Sequence, residues 1–390
     1  MRRKLKYRLP ASRHRAGTAA WWLLALALAV VFAVVWWDQR LTGRKSKSKT
    51  QSTAQAAKTP APPAPTQPAT APTHVPALAP APAPVAPPIP PPTPRPAIPE
   101  TPGAWPRPVE NVFEAQVALV QQGISPGSLD GAVGSQTRAA LSAFQEKIHL
   151  PVTGRLDTNT RARLLLTNSP YTTYTVTTND LARLQPLSAT WLGKSQQTAL
   201  EFETILELVA EKAFSHPNLI RKLNPSINWS NVPPGTVLQV PDVSYPPPHG
   251  PAAFIVISLA ARTLEAFDDN TNLLVHFPVS IGKIAEKRPV GELHVLKIAP
   301  HPDYTFDPAN FPESEEARQL KTKLKLPPGP NNPVGMAWIS LDRPSYGIHG
   351  TPGPEQVGRT ESHGCFRLAN WNAEYLVHLV SIGTSVFVEE

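Results

Sequence analysis

The hydrophobic and polar positions divide the chain into stretches with different periodicity. Residues 19–37 are apolar and uncharged, whereas residues 51–108 contain few large apolar side chains. Apolar residues then recur at helical spacing as far as about residue 213, and short strand-like segments separated by turns follow from residue 251. The pattern predicts a multidomain chain with an apolar N-terminal segment, a linker, helical modules and a mainly β C-terminal domain.

The apolar segment 19–37 has the length of a transmembrane helix. It matches the length needed to cross a hydrocarbon core of ~30 Å, and a pair of Trp residues stands at each end. A cleaved signal peptide, the alternative, has a shorter apolar region and a small-residue cleavage site, whereas this run ends in Trp-Trp-Asp-Gln-Arg. Because more basic residues precede the segment than follow it, we expect residues 1–18 to be a cytoplasmic tail and the rest to be exported.

Residues 38–108 are expected to be a linker rich in Pro and Ala. Such a composition cannot bury enough apolar surface to fold, and its Pro-rich runs favour an extended polyproline II conformation. At ~3.1 Å per residue, the fifty-odd residues at 51–108 can span on the order of 150 Å. We therefore expect it to hold the folded part of the chain away from the membrane.

The positive net charge is confined to the N-terminus. Of the net charge of +8, the first 49 residues contribute +11, from 12 basic residues and one acidic residue, so the other 341 residues carry −3. This distribution leaves no broad basic surface after the linker, and nucleic acid is not an expected partner.

Residues 109–167 show the spacing of three short helices, with a turn at 128–131 and Asp157 as the N-cap of a helix that runs to Leu166. The segment LDGAVGSQTRAALSAFQEKIHLPVTGRLDTNTRARL resembles the peptidoglycan-binding domain family. The matching positions are Asp130-Gly131, Gly134, Thr137, Ala140, Phe144-Gln145, Leu150-Pro151, Thr153-Gly154, Asp157 and Thr160. The resemblance implies a small three-helix bundle that binds the cell wall.

Residues 171–243 are predicted to form a second small module. Residues 174–176 favour a strand, and residues 198–213 have the spacing of an amphipathic helix. Leu223-Asn224-Pro225 and the segment GTVLQVP at 235–241 resemble the second half of a LysM glycan-binding motif. The module is longer than a compact LysM repeat, so we expect an α+β LysM-like module with an insertion. A spacer domain is the alternative.

Residues 251–390 are predicted to form a β sandwich or a barrel-like domain. A turn at 268–270 separates two of its strands, and a short helix is expected at 372–380. The strand-like segments are 254–257, 273–279, 294–298 and 386–388.

The only cysteine of the chain, Cys365, is a candidate nucleophile. A single cysteine cannot form an intramolecular disulfide, and a lone cysteine is most often buried and inert. A protonated thiol attacks poorly and needs a base or a lowered pKa. His363 lies two residues before Cys365, and His349 lies across a loop rich in Pro and Gly. From the residues alone, catalysis and coincidence remain equally open.

The sequence around Cys365 and His349 favours catalysis, because it resembles a known family. Tyr-Gly-Ile-His-Gly around His349 and Ser-His-Gly-Cys-Phe-Arg-Leu around Cys365 resemble the signature of the L,D-transpeptidase (YkuD) family. One departure is Arg288, where many members have Thr before Pro-x-Gly.

The resemblance implies a role for each site residue. Cys365 is the nucleophile, His349 is its base, and the Gly350 carbonyl orients the imidazole. His363, Gly364 and the Cys365 amide shape an oxyanion pocket. Arg367 has two readings, a partner of a substrate carboxylate and a surface ion pair. The segment 301–330 is a candidate mobile cover of the site, and neither a cofactor nor a metal is expected.

The implied activity is acyl transfer on peptidoglycan stems, with release of terminal D-alanine and formation of a cross-link. The same site could act as an L,D-carboxypeptidase or attach a protein to peptidoglycan. Two other readings are a non-catalytic wall-binding anchor and a metal site made by His349, His363 and Cys365. The expected partners are peptidoglycan and the membrane, with the catalytic domain on the extracytoplasmic side of a bacterial inner membrane.

Overall fold

The computed structural model describes residues 105–248, 250–283, 288–360 and 364–390. The predicted cytoplasmic tail (1–18), the predicted transmembrane segment (19–37) and the linker as far as residue 104 lie outside the described residues. Within the described part, no helix combines the length and apolarity needed to cross a membrane.

The first module contains the three helices that the sequence predicts. Its elements are β1 (Arg107–Pro108), α1 (Val112–Val120), α2 (Ser135–Lys147), α3 (Thr158–Arg163) and β2 (Leu165–Leu166). Asp157 caps α3 by accepting a hydrogen bond from the Thr160 amide at 2.9 Å. The helix ends earlier than predicted because Leu165 and Leu166 pair antiparallel with β1. The last residues of the predicted linker therefore belong to the folded module.

Two buried glutamines hold the two turns of this module in the same way. The Gln116 side-chain oxygen accepts from the amides of Asp130 and Gly131 at 3.2 and 2.8 Å. The Gln145 oxygen accepts from the amides of Thr153 and Gly154, at 2.8 and 2.9 Å. Several positions behind the resemblance to peptidoglycan-binding domains are therefore structural, because buried amides need such partners.

The second module is an antiparallel strand pair that encloses four helices. Its elements are β3 (Tyr171–Thr175), α4 (Thr178–Arg183), α5 (Trp191–Gln196), α6 (Ile205–Lys212), α7 (Pro217–Leu223) and β4 (Val237–Pro241). The predicted helix 198–213 is wrong in its first part, since α6 begins only at Ile205, where Thr204 caps it. The backbone of Leu200 instead bonds to Pro328 and Asn331, so the segment from 198 to 204 does not continue the helix.

The C-terminal part is mainly β, as predicted. Its strands are β5 (Phe254–Ser258), β6 (Thr263–Phe267), β7 (Leu273–Pro278), β8 (Gly291–Pro300), β9 (Tyr304–Phe306), β10 (Leu324–Leu326), β11 (Ala337–Leu341), β12 (Gly347–His349), β13 (Phe366–Arg367) and β14 (Ser385–Glu389). Two helices, α8 (Glu315–Gln319) and α9 (Asn370–Val377), accompany them.

Eight of these strands form one sheet in the order β13-β12-β11-β8-β14-β5-β6-β7. Only the β12–β13 and β14–β5 pairs are parallel. The two edges of the sheet meet where Ser280, just after β7, exchanges two backbone hydrogen bonds of 2.9 Å with Arg367. The sheet therefore curls into a barrel-like form around a buried apolar core that includes Phe277, Ile339 and Phe366.

Both small modules pack directly on the sheet domain. Phe214, which follows α6, stacks on Trp371 of α9 with ring centroids 5.4 Å apart and an interplanar angle of 10°. In the first module, the Ser125 amide donates to the His276 carbonyl of β7 at 2.8 Å, and the His276 amide donates to the Gly123 carbonyl at 3.1 Å. These contacts fix the modules against the strands that carry the candidate site.

Residues 301–330, here called the cap, are folded rather than a loop. The cap contains β9, a 3₁₀ turn at Pro308–Asn310, α8 and β10, and β9 pairs antiparallel with β10. Phe306, Ala317 and Leu326 of the cap are buried together with Leu200 of the second module. The expectation of a mobile cover rests on the charged, Pro-rich composition of residues 301–330. That composition does not reveal the separate apolar cluster that the cap forms.

Candidate functional site

The parallel pairing of β12 and β13 brings the candidate catalytic residues to one face of the sheet. Ile348 pairs with Phe366, and His349 pairs with Arg367. Side chains alternate along a strand, and Ile348 and Phe366 point into the core with no exposed surface. His349 and Arg367 therefore share the opposite face, where Cys365, two residues before Arg367, also lies.

His349 is buried and held in one orientation. Its Nδ1 faces the Gly350 carbonyl oxygen at 2.6 Å, and because a carbonyl only accepts, Nδ1 carries the proton and Nε2 keeps its lone pair. The contact that the resemblance implies for Gly350 is thus present. On β11, Trp338 pairs with His349 and stacks on its ring at 5.4 Å. Burial lowers the pKa of His349 to about 4, so the imidazole is neutral at pH 7.

Cys365 immediately precedes β13, and its thiol is partly buried. It donates a hydrogen bond to the Ser345 carbonyl at 3.4 Å. Burial raises the pKa of the thiol above its ordinary value, although the Gly347 backbone and the Arg367 guanidinium act in the opposite direction. The free site therefore contains a neutral thiol and a neutral imidazole rather than an ion pair.

Arg367 is half-buried, and its guanidinium lies close enough to Cys365 to affect the pKa of the thiol. Burial lowers its pKa, and the nearby Cys365 thiol and Tyr304 phenol raise it. Tyr304 comes from β9 of the cap, and burial raises the pKa of its phenol. Sequence reasoning missed Tyr304, because nothing along the chain shows that the cap reaches the nucleophile.

Gly364 lies in a narrow space next to the nucleophile. Gly282 faces it so closely that a Cβ on Gly282 would lie 3.1 Å from the Gly364 Cα. Arg288, the departure from the family pattern, donates from Nε to the Gly282 carbonyl at 2.8 Å. His363, a predicted oxyanion residue, lies outside the described residues, as does Ser362.

Asn370, at the start of α9, connects the site to the second module. Its Oδ1 accepts from the amides of Thr351 and Met336, at 2.9 and 3.2 Å. Its Nδ2 donates to Glu211 of α6 at 2.9 Å and to the Pro330 carbonyl at 3.2 Å. The backbone that follows His349 and Gly350 is thereby fixed by a fully buried amide whose partner belongs to another module.

The first module contacts the loop between His349 and Cys365. The Gln136 side chain of α2 donates to the Val357 carbonyl. The next residue, Gly358, donates its amide to the buried Ser280 hydroxyl at 2.8 Å. The loop that leads to Cys365 is therefore tied both to the sheet and to the first module.

Of the three residues in the metal-site alternative, the structure describes His349 and Cys365 but not His363. His349 already uses Nδ1 for the Gly350 carbonyl, which leaves Nε2 as its only possible ligand atom. In the described part of the chain, no three His, Cys, Asp or Glu side chains converge in a way that could hold a metal ion.

Comparison with known families identifies the part of the chain that carries the site. Residues 252–388 match the model of the L,D-transpeptidase catalytic domain (YkuD). Residues 252–388 form an L,D-transpeptidase family domain. Residues 108–164 match the model described as "Putative peptidoglycan binding domain". Both resemblances seen in the motifs are thus confirmed.

Curated relatives carry the same activity in their names. "Putative L,D-transpeptidase YkuD" of Bacillus licheniformis is 28% identical over 188 residues, which cover 48% of this chain and 93% of the relative. "Probable L,D-transpeptidase YbiS" of Escherichia coli K12 is 30% identical over 169 residues, or 43% of this chain and 54% of the relative. Among solved structures, L,D-transpeptidase 3 from Mycobacterium tuberculosis matches 41% of this chain and 77% of its own, with 21% identity and a TM-score of 0.29.

A side chain at position 347 should disturb the histidine. A Cβ on Gly347 would lie 2.7 Å from the Trp338 ring, which stacks on His349. We expect Gly347→Ala to lose about 1–3 kcal/mol of stability and most of the L,D-transpeptidase activity. Chemical denaturation and an activity assay measure the two effects. Gly134→Ala, where a Cβ meets no atom within 4 Å, is the control; a Gly347→Ala variant with wild-type stability and activity would contradict the assignment.

The Glu211–Asn370 contact predicts a pH-dependent stability. Burial, reinforced by neighbouring carboxylates, raises the pKa of Glu211 to about 8 against an ordinary value of 4.5. The unfolded chain therefore releases this proton at lower pH than the folded chain, and the free energy of unfolding falls as pH rises from 4.5 to 8.

The test is the unfolding free energy of wild type and Glu211→Gln between pH 5 and 9. We expect the variant, which keeps an acceptor for Asn370 but cannot ionise, to show a flatter decline, with a difference on the order of a few kcal/mol. Glu146→Gln, at an exposed carboxyl of α2, should leave the wild-type decline intact. Parallel pH profiles for wild type and Glu211→Gln would disprove the buried, protonated carboxyl.

Proposed function

We propose that the protein is a membrane-anchored L,D-transpeptidase that cross-links peptidoglycan stem peptides through a thioester on Cys365. The observation that carries the proposal is the parallel pairing of β12 and β13, which places His349 and Cys365 on one face of the sheet. The family match of residues 252–388 supports the same chemistry.

In the first half-reaction, the Cys365 sulfur attacks the carbonyl carbon of the L,D-peptide bond before the terminal D-alanine. The thiol proton passes to Nε2 of His349, which is free because Nδ1 is committed to Gly350. The negative charge that develops on the carbonyl oxygen is stabilised by the Cys365 amide and by the segment containing His363 and Gly364. His349 then protonates the departing amine, D-alanine leaves, and a thioester remains on Cys365.

In the second half-reaction, an amine of another stem peptide replaces the thiol. Nε2 of His349 accepts a proton from the attacking amine, a new amide bond forms, and the C–S bond breaks. His349 returns the proton to sulfur, which regenerates the neutral pair. The low pKa of His349 suits this role. At neutral pH the imidazole is unprotonated, so it can accept a proton at the start of each half-reaction.

Arg367 is assigned to substrate positioning. Its guanidinium lies beside Cys365 and is half-buried, a setting in which a planar, always-charged group binds a carboxylate strongly. Stem peptides carry carboxylates near the bond that is cleaved. Tyr304 of the cap offers a hydroxyl in the same neighbourhood.

The remaining segments suit an enzyme that works at the cell wall. The peptidoglycan-binding domain would hold the wall, and the second module, with its two strands enclosing helices, would act as a LysM-like glycan-binding unit. The apolar segment 19–37 would anchor the chain in the inner membrane, with the catalytic domain outside the cytoplasm. The linker would span the distance between the membrane segment and the folded modules.

Two related reactions use the same thioester. Water in place of the amine gives an L,D-carboxypeptidase, and an amine on a protein gives attachment of that protein to peptidoglycan. The half-buried thiol, with Tyr304 of the cap in its neighbourhood, favours transfer over hydrolysis, because a partly buried thioester is less exposed to water.

The test is incubation of the full-length protein with purified tetrapeptide muropeptides, followed by mass spectrometry. We expect released D-alanine together with a cross-linked dimer, and a mass increase on the protein that corresponds to the acyl group. Cys365→Ala removes the nucleophile and should abolish all three, and His349→Gln should slow D-alanine release by about 10²–10⁴-fold.

His378→Gln is the matched control, because it changes an exposed histidine at the end of α9. It should release D-alanine at the wild-type rate. Undiminished D-alanine release by Cys365→Ala, or no release by the wild-type protein, would refute the proposed function.

A further inference from the structure

The insertion in the second module makes a specific contact with the cap. Residues 184–202, here called the strap, leave the module between α4 and α6 and contain α5. A strand-helix module closed by β3 and β4 does not need this segment for its own core. The buried core of the module contains Phe202 from the strap but none of residues 185–201.

Aromatic stacking joins the strap to the strand that carries Tyr304. Trp191 of the strap stacks on Phe306 with ring centroids 4.2 Å apart and an interplanar angle of 14°. It also contacts Phe311 at 5.8 Å. Phe306 lies two residues after Tyr304 on β9, so both side chains belong to the same face of the strand. The strap therefore packs on the apolar layer that also supports Tyr304.

Polar contacts fix the strap at two further points. The Glu316 carboxylate of α8 accepts from the amides of Trp191 and Leu192, each at 2.9 Å. At the other end of the strap, the Leu200 amide donates to the Pro328 carbonyl at 2.9 Å, and its carbonyl accepts from Asn331 at 3.0 Å. The strap thus binds the cap near its middle and at its C-terminal end.

The cap begins beside the strands of the site, since Pro300 of β8 pairs with Ala337 of β11 and the His301 amide donates to the Met336 carbonyl at 2.8 Å. The Tyr304 phenol is close enough to Cys365 and Arg367 for both to affect its pKa, and burial raises that pKa. A displacement of β9 would therefore change the space over the thiol. It would leave the β12–β13 pairing unaltered, since β9 pairs only with β10.

We infer that the strap, through Trp191 and Glu316, positions the cap over the acyl-enzyme and favours its transfer to an amine over its hydrolysis. Trp191 and Glu316 are positioning residues, because they act through Tyr304 and do not contact the reacting atoms. This inference rests on the proposed function, since it concerns the fate of the thioester on Cys365. It gives the second module a part in acyl transfer in addition to any binding of glycan.

The readout is the partition ratio, the amount of hydrolysed tripeptide divided by the amount of cross-linked dimer. This ratio does not depend on how much of the enzyme is active, so a merely destabilised variant leaves it unchanged. The full-length protein is incubated with tetrapeptide muropeptides, and D-alanine release is recorded alongside the two products.

We expect Trp191→Ala to raise the partition ratio by about two- to tenfold, the factor that corresponds to the loss of one aromatic pair, with little change in D-alanine release. Trp191→Phe keeps a ring against Phe306 and should restore the wild-type ratio. Glu316→Ala, which retains the aromatic stack, should also raise the partition ratio. It is the test variant if Trp191→Ala does not fold.

Trp229→Ala is the matched control, because Trp229 packs on the core of the second module and not on the cap. It should leave the ratio unchanged. A wild-type partition ratio in both Trp191→Ala and Glu316→Ala, with D-alanine still released, would overturn the inference and leave the proposed function standing. Loss of D-alanine release from the wild-type protein itself would instead refute the proposed function.

Discussion

The site depends on a short parallel pairing between β12 and β13. Burial of Ile348 and Phe366 in the core forces their neighbours His349 and Arg367 to the other face, where Cys365 also lies. Two residue pairs are too few to be stable alone, so the pairing requires support at both ends. On one side, Trp338 of β11 pairs with His349 of β12. On the other side, the backbone of Ser280 is hydrogen-bonded to Arg367 of β13.

The smaller modules extend this support beyond the sheet. The first module contacts the loop that leads to Cys365, and the second contacts Asn370, which fixes the backbone after His349. The strap reaches the cap independently of both. The three contacts converge on one small region, so the two small modules also contribute to the shape of the site. The two small modules are therefore structurally linked to the candidate site.

Local signals in the sequence were sufficient for the helices of the first module and for the strands β5, β7, β8 and β14. The alternation of side chains and the caps are local properties, and the motif around Cys365 is contiguous. The contacts of Asn370, Tyr304 and Trp191 could not be predicted, because their partners are distant in the sequence. The helix expected at 198–213 begins late for the same reason, since Leu200 bonds to the distant Pro328.

The central claim is that a neutral thiol and a neutral imidazole, held by burial and by the Gly350 carbonyl, form the resting site. The most direct measurement is the rate of iodoacetamide alkylation of the full-length protein against pH, followed by intact mass. The chain has one cysteine, so every adduct reports on Cys365. We predict a rate that stays low at neutral pH and still rises above the ordinary pKa of a thiol. A rate already at its plateau near pH 6 would show a thiolate–imidazolium pair and contradict the account.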